Sequence, residues 1–373
     1  MILMALDHTR DFFGVPGINP GDLARTTVPL FFTRWVTHFC APVFFLLMGT
    51  GAYLSLGRRT AGELSRLLLT RGLWLILLEL TVVRCLGFQF NFDYHVTMLV
   101  VLWALGWALI ALAALVFLPP TAVAIIGVVL IALHNLCDPI TARSLGAFGP
   151  VWSVLHAPGV VFARPGFLVF VAYPLIPWIG VTAAGYGLGQ LYRADAASRQ
   201  RLLLRVGVSA TIGFVLLRWL NVYGDPAPWQ PQASAAMTLV SFLNTTKYPP
   251  SLLFLLMTLG PALLLLWLME RPTPRVLRPA LVFGRVPLFY FVLHLPLIHL
   301  LAVIVCYARY GGVWWMFSSP DLGHYPFTTP PEWGYSLPVV YLVWGLIVVS
   351  LYPACVWYAR VKQRRSDWWL TYL

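Results

Sequence analysis

The feature that most limits what this chain can become is the recurrence of apolar stretches about 20 residues long, separated by arginine-bearing turns or by Gly- and Pro-rich segments. That length is what an α-helix needs to cross the hydrocarbon core of a bilayer, whereas membrane strands are about ten residues long and alternate in polarity. The chain is therefore expected to be all-α, a polytopic transmembrane helix bundle. Of its 373 residues, 60% are hydrophobic and 10% charged, where a soluble domain carries roughly 25% charged residues. That composition excludes an ordinary soluble fold.

We place about ten spans, near residues 1–13, 38–56, 67–87, 96–118, 121–137, 167–191, 202–222, 251–268, 286–307 and 338–358, the first of them truncated. Residues 1–373 read as a single integral membrane domain without internal repeats. Pro16, Gly17, Pro20, Gly21 and Pro29 make Val15–Val36 too broken for a helix and predict a folded loop. Met48, Gly49, Gly51 and Ala52 are small or slender enough to let another helix approach closely, and Pro174 and Pro177 predict a kinked or locally unwound sixth span. Only six apolar residues precede Asp7, too few for a span, so the protein is expected to start upstream of Met1.

A net charge of +12 invites a nucleic-acid reading. The basic residues, however, lie in short turns between spans: Arg58 to Arg71, Arg193 to Arg205, Arg271 to Arg285, and ARVKQRR near the end. Positive turns of this kind face the cytoplasm, which puts both termini inside and the long loops 14–37, 88–95, 138–166, 223–250 and 308–337 outside. No nucleic-acid partner is expected. Cys40, Cys85, Cys137, Cys306 and Cys355 show no CxxC spacing and read as packing residues.

Within this lipophilic chain one turn stands out. The run MILMALDHTRDFFG places Asp7, His8, Arg10 and Asp11 within five positions at the end of an apolar helix, with His8 and Asp11 three apart and Asp7 and Asp11 four apart. Ionisable groups there are costly unless they face protein or a wet cavity. A membrane-interface anchor in which Arg10 pairs with an aspartate explains the same residues equally well. His38, which opens the second span on the same outer side, is the best partner for His8, and two imidazoles at a wet cleft can divide general-base and orienting roles. Asp11 or Asp7 would fix the tautomer of His8. Glu79, about mid-span, is expected to pair with Arg71, with Arg84 or with a charge on another helix. Asn91, Asp93, Asn244, Lys247 and Tyr248 are loop groups suited to a polar substrate, although loop polarity alone accounts for them. Cytoplasmic arginines, Arg71 and Arg285 among them, could hold the phosphates of an anionic donor, a role that competes with simple topology signalling. No HExxH or CxxC spacing supports a metal, and none is expected.

The segments ILMALDHTRDFF, THFCAPVFFLLMGTGAYLSL, VLWALGWALIALAAL, YPLIPWIGV, FLNTTKYPPSLLFLLMTLGP and FGRVPLFYFVLHLPLIHL, in this order, resemble the bacterial branch of the heparan-α-glucosaminide N-acetyltransferase family over nearly the whole chain. The resemblance implies a polytopic acyltransferase of the bacterial cytoplasmic membrane that moves an acetyl group from cytoplasmic acetyl-CoA to an extracytoplasmic amino sugar or glycan. It aligns His8 and His38 with polar positions of the family's site and His294 with a histidine in the late FYFxxH-like segment. The family's loop histidine is absent, since Gly14–Val36 contains none. On this reading His8, His38, Asp7 and Asp11 are catalytic. Arg10, Asn91, Asp93, Lys247, Tyr248 and His294 bind the acceptor, and Arg71 and Arg285 bind the donor. Membrane lipids are partners, and a homodimer is compatible with the sequence. The rival is a proton-coupled transporter or flippase of a polar or lipid-linked substrate, for which the broken sixth span would form the binding site.

Overall fold

The computed structural model describes residues 1–272, 274–365 and 367–372. Helices dominate. In chain order they are α1 (Ile2–Phe13), α2 (Val28–Trp35), α3 (Cys40–Ser55), α4 (Ala61–Leu78), α5 (Val101–Leu115), α6 (Pro120–Leu133), α7 (Gly149–Leu155), α8 (Leu175–Leu188), α9 (Ala196–Leu220), α10 (Ala235–Leu243), α11 (Leu252–Met269), α12 (Leu281–Arg285), α13 (Pro287–Tyr310) and α14 (Leu337–Arg364). Three short strands, β1 (Val96–Leu99), β2 (Gly159–Arg164) and β3 (Phe167–Val171), join them.

Among the described residues, six helical segments are long and apolar enough to cross a membrane: Val28–Arg58, Pro120–Cys137, Ala196–Leu220, Leu252–Met269, Pro287–Tyr310 and Leu337–Arg364. The other four expected spans are shorter or interrupted. The first is the 12-residue α1. The third is α4, which continues as a π-helix over Glu79–Phe88. The fourth and sixth begin as strands, β1 and β3, before turning helical at Val101 and Leu175.

Val15–Val36 also departs from expectation, because its last third is α2. Thr27 caps that helix by accepting from the Leu30 amide at 3.4 Å, and Pro29 sits in the first turn. A proline there lacks only an N–H that has no intrahelical partner, so it starts a helix rather than breaking one. The chain then runs through a 3₁₀ turn, Val36–Phe39, into α3. His38 therefore lies inside a continuous helical segment and not at its start.

Helix pairing is close where glycines face a neighbour. α3 packs on α8, α6 on α8, α4 on α5 and α9 on α11. A Cβ at Gly49 would stand 2.0 Å from the Thr182 carbonyl oxygen, and one at Gly185 would stand 2.1 Å from that of Leu46. Thr50 donates across the same contact to the Gly185 carbonyl at 2.9 Å. The small residues noted in the sequence thus serve as expected at Gly49, whereas Gly51 faces open space. Gly49→Leu is expected to force α3 and α8 apart and to destabilise by about 1–3 kcal/mol. A lowered thermal midpoint in detergent checks this, with Gly51→Leu as the neutral control.

The long connections meet at one end of the bundle. β1 runs parallel to β3 (Val96 opposite Leu168), and β2 pairs antiparallel on the other side of β3, giving the order β1-β3-β2. Asn244 donates to the Gly21 carbonyl at 2.9 Å, Asn91 to that of Phe317 at 3.0 Å, and Trp333 to that of Phe12 at 3.0 Å. The short connections gather at the other end, where Arg199 grips Glu270 through two hydrogen bonds of 2.9 and 2.6 Å. Two buried arginines organise the first end. Arg218 donates to the carbonyls of Ala227, Ser241, Phe242 and Asn244. Arg84 donates at 2.7 Å to both the carbonyl and the side-chain oxygen of Asn91 and stacks on Tyr94 at 4.2 Å.

Candidate active site

The last turn of α1 faces inward. His8 keeps 16% of its side chain accessible, and its ring meets Phe88 edge-on at 5.5 Å and His294 of α13 at 5.2 Å. His294 is fully buried. Its Nδ1 lies 2.7 Å from the Phe291 carbonyl, which can only accept, so Nδ1 carries the proton and Nε2 presents a lone pair with no protein partner. His8 Nδ1 is likewise without a hydrogen-bond partner. The nearest carboxylate to it, Asp11, stands at 3.9 Å, within ion-pair reach but beyond a hydrogen bond.

Asp7 has a different partner from the one expected. It accepts from Arg34 of α2, with one contact of 2.6 Å, and lies 3.1 Å from Arg10. Arg10 also pairs with Asp11. Both aspartates are therefore held by guanidinium groups, which leaves neither free to set the tautomer of His8 through a short bond. Arg34 escaped the sequence reading. Its signal was a lone cation four residues before His38, on the same helical face.

The expected pairing of His8 with His38 gives way to His8 with His294. His38 is buried with Nδ1 unpartnered and packs on Phe254 at 5.3 Å. It joins the cluster through charge, because Arg34, Lys247 and Asp7 act on it through space. Lys247 acts in the same way on Asp7 and His8. Lys247 and Tyr248 are placed there by Asp225, which accepts from the Thr246 amide at 2.8 Å and from the Ser251 hydroxyl at 2.6 Å. Burial pushes the Tyr248 phenol up, yet the neighbouring Lys247 and Arg34 cations outweigh it and hold the group below its ordinary value.

Other expected site residues lie apart from this cluster. Asn91 and Asp93 are engaged by Arg84 and by the loop itself. Burial opposes ionisation of Asp93, but hydrogen bonds from the His95 amide and ring hold its carboxyl low. Glu79 pairs with neither Arg71 nor Arg84. Its carboxylate accepts from the Leu102 amide at 2.8 Å and caps the first turn of α5, where free amides and the helix dipole favour an anion.

Two cavities flank the paired imidazoles. One, of about 780 Å³, opens beside the start of α1 and is walled by Leu75, Leu102, Leu105 and Phe291, with Arg71 at its edge. Gly284, adjacent to Arg285, also lines it. The other, of about 450 Å³, lies beyond the end of α1 and is lined by Arg10, Asp11, Phe88, His324, Tyr325 and Tyr335. Phe291 touches the His294 ring at 5.4 Å. His294 and His8 thus bridge the wall of one cavity to the wall of the other.

Long apolar helices around a buried cluster of imidazoles, carboxylates and guanidinium groups define a membrane protein with a polar centre at depth. The sequence model of the family described as "Heparan-alpha-glucosaminide N-acetyltransferase, catalytic" matches residues 1–224, and the chain belongs to this family of membrane acetyltransferases, which in general use acetyl-CoA as donor. The matched part carries Asp7, His8, Arg34, His38 and Glu79, while Lys247, Tyr248 and His294 lie beyond it. No curated protein and no solved structure matches the chain.

Proposed function

We propose that this chain transfers an acetyl group from acetyl-CoA, entering through the cavity at the start of α1, to an amino sugar or glycan in the cleft beyond its end. The observation that carries the reading is the His8–His294 pair, which touches Phe88 on one side and, through Phe291, the opposite cavity on the other. The apolar walls of the larger cavity suit a pantetheine arm, and Arg71 in its lining and Arg285, next to its Gly284, suit phosphates. In the outer cleft Asp11 suits an ammonium group, while Tyr325 and Tyr335 offer aromatic faces to a sugar ring.

In the reaction, His8 removes the proton from the acceptor nitrogen or hydroxyl as it attacks the thioester carbonyl. The new bond to carbon forms, the carbon–sulfur bond breaks, and the departing thiolate takes up a proton. His294 relays that proton through its free Nε2 and so keeps His8 basic between turnovers. His38 supports the developing oxyanion or acts as a second base. Transfer is direct, without an acetyl-imidazole intermediate. Residues 1–373 act as one domain in the bacterial cytoplasmic membrane, both termini inside, with the four shorter helices completing a ten-span bundle.

Reconstitution into sealed vesicles with acetyl-labelled CoA on the side of the short connections tests the reading. Label covalently attached to glucosamine or a glucosamine-terminated glycan on the opposite side is expected. Passage of label or sugar without a covalent product would instead support a transporter.

A further inference from the structure

A second cluster lies away from this site, at the end of α6. His134, Asp138 and His156 each offer one ligand atom, and these atoms lie within 4.8 Å of one another. Both histidines are buried, at 4% and 2% exposure, whereas Asp138 retains 22% of its side chain at the surface. His134 has no hydrogen-bond partner on either ring nitrogen, and the carbonyl of Pro250 faces the ring without closing a bond of ordinary geometry. A buried imidazole with neither ring nitrogen in a well-formed hydrogen bond is costly in a protein interior. A ligand that accepts its lone pair removes that cost.

The neighbouring groups are arranged as the outer shell of a metal site. His156 Nε2 and Asp138 Oδ1 are 3.0 Å apart, close to the roughly 3.3 Å edge of a tetrahedron with metal–ligand bonds near 2.0 Å. Asn135 donates to the other carboxylate oxygen, Oδ2, at 2.8 Å, so Oδ1 is the oxygen turned to the histidines. Asn135 is itself held by the Leu252 amide at 2.8 Å, and the His156 ring packs on Trp152 at 5.0 Å. Orienting contacts of this kind fix ligand direction and raise affinity.

We propose that His134, Asp138 and His156 bind one divalent transition-metal ion of the zinc type, with water from the exposed side of Asp138 in the fourth position. Two imidazoles and a carboxylate are borderline ligands that select such an ion over calcium or magnesium, which prefer all-oxygen sites. The sequence spacing, four residues and then eighteen, matches no compact metal motif, so only the fold reveals the set. The ion fastens the end of α6 to α7. Through Asn135 and Leu252 it also steadies the turn that carries Lys247 and Tyr248.

The test uses the full chain in detergent with a tag that contains no histidine. The protein is stripped with EDTA, exposed to excess Zn²⁺, desalted and analysed for metal. One zinc per chain is expected for the wild type, with at least a tenfold loss of affinity in Asp138→Asn and in His156→Gln. Co²⁺ in place of zinc should give the visible absorption of a four-coordinate site, absent from both variants. Equal zinc retention by wild type and variants would place the metal elsewhere. A wild type that retains none would leave only a hydrogen-bonded His–Asp clamp, and either result overturns the proposal. Because the wild-type measurement stands alone, a variant that fails to fold does not rescue it.

Discussion

His8→Ala is expected to lower acetyl transfer by about 10²–10⁴-fold while leaving the KM for acetyl-CoA nearly unchanged. Among the described residues the ring is the only titratable group whose ring contacts reach both Phe88 and His294, and its Nδ1 has no competing hydrogen bond. Removing it eliminates proton acceptance without opening the larger cavity, which α1 lines through Ile2 and Leu3. His8→Gln, which keeps most of the volume, should be equally inactive. Steady-state kinetics with labelled acetyl-CoA decide the matter. Near-normal turnover in either variant would move the base to His294 or His38, which His294→Gln and His38→Gln would then distinguish.

Asp7→Ala should cost about 3 kcal/mol of stability, more than any substitution on the lipid-facing surface. Asp7 is 13% exposed, and it provides Arg34 with its sole ion pair among the described residues. Its loss strands a guanidinium group between α1, α2 and the turn that carries Tyr248, where Asp11 acts on it only through space. Arg10 suffers less because Asp11 remains. The check is the denaturation midpoint in detergent, compared with Asp7→Ala combined with Arg34→Leu. The double variant should recover much of the loss, since an apolar pair is cheaper to bury than one uncompensated charge. An unchanged midpoint in the single variant would mean that water, not Asp7, solvates Arg34.

The helical class, the family and the polar turn of α1 were all legible in the sequence, because each depends on local composition or spacing. What escaped depended on context. VTML and FLVFV are β-branched and aromatic runs inside longer apolar stretches, and a short apolar run has no period that separates strand from buried helix. Pro29 counts as a breaker by residue type alone, and only its place just after the Thr27 cap makes it a helix starter. A mid-span acid such as Glu79 calls for a cation, Arg71, Arg84 or a charge on another helix, while its partner is a backbone amide on α5. A shared outer side points from His8 to His38, while the ring that His8 touches is that of His294. The α1–α13 contact that favours His294 arises from packing between helices almost three hundred positions apart.

The parallel pairing of β1 with β3 bears on how such a protein is made. Between them lie α5, α6 and α7, so β1 has no mate until some seventy further residues have left the ribosome and two apolar helices have been inserted. The three-stranded sheet therefore closes only after α5, α6 and α7 have been made. Nascent chains arrested before Phe167 should expose Val96–Leu99 to protease, and chains released after Val171 should protect it.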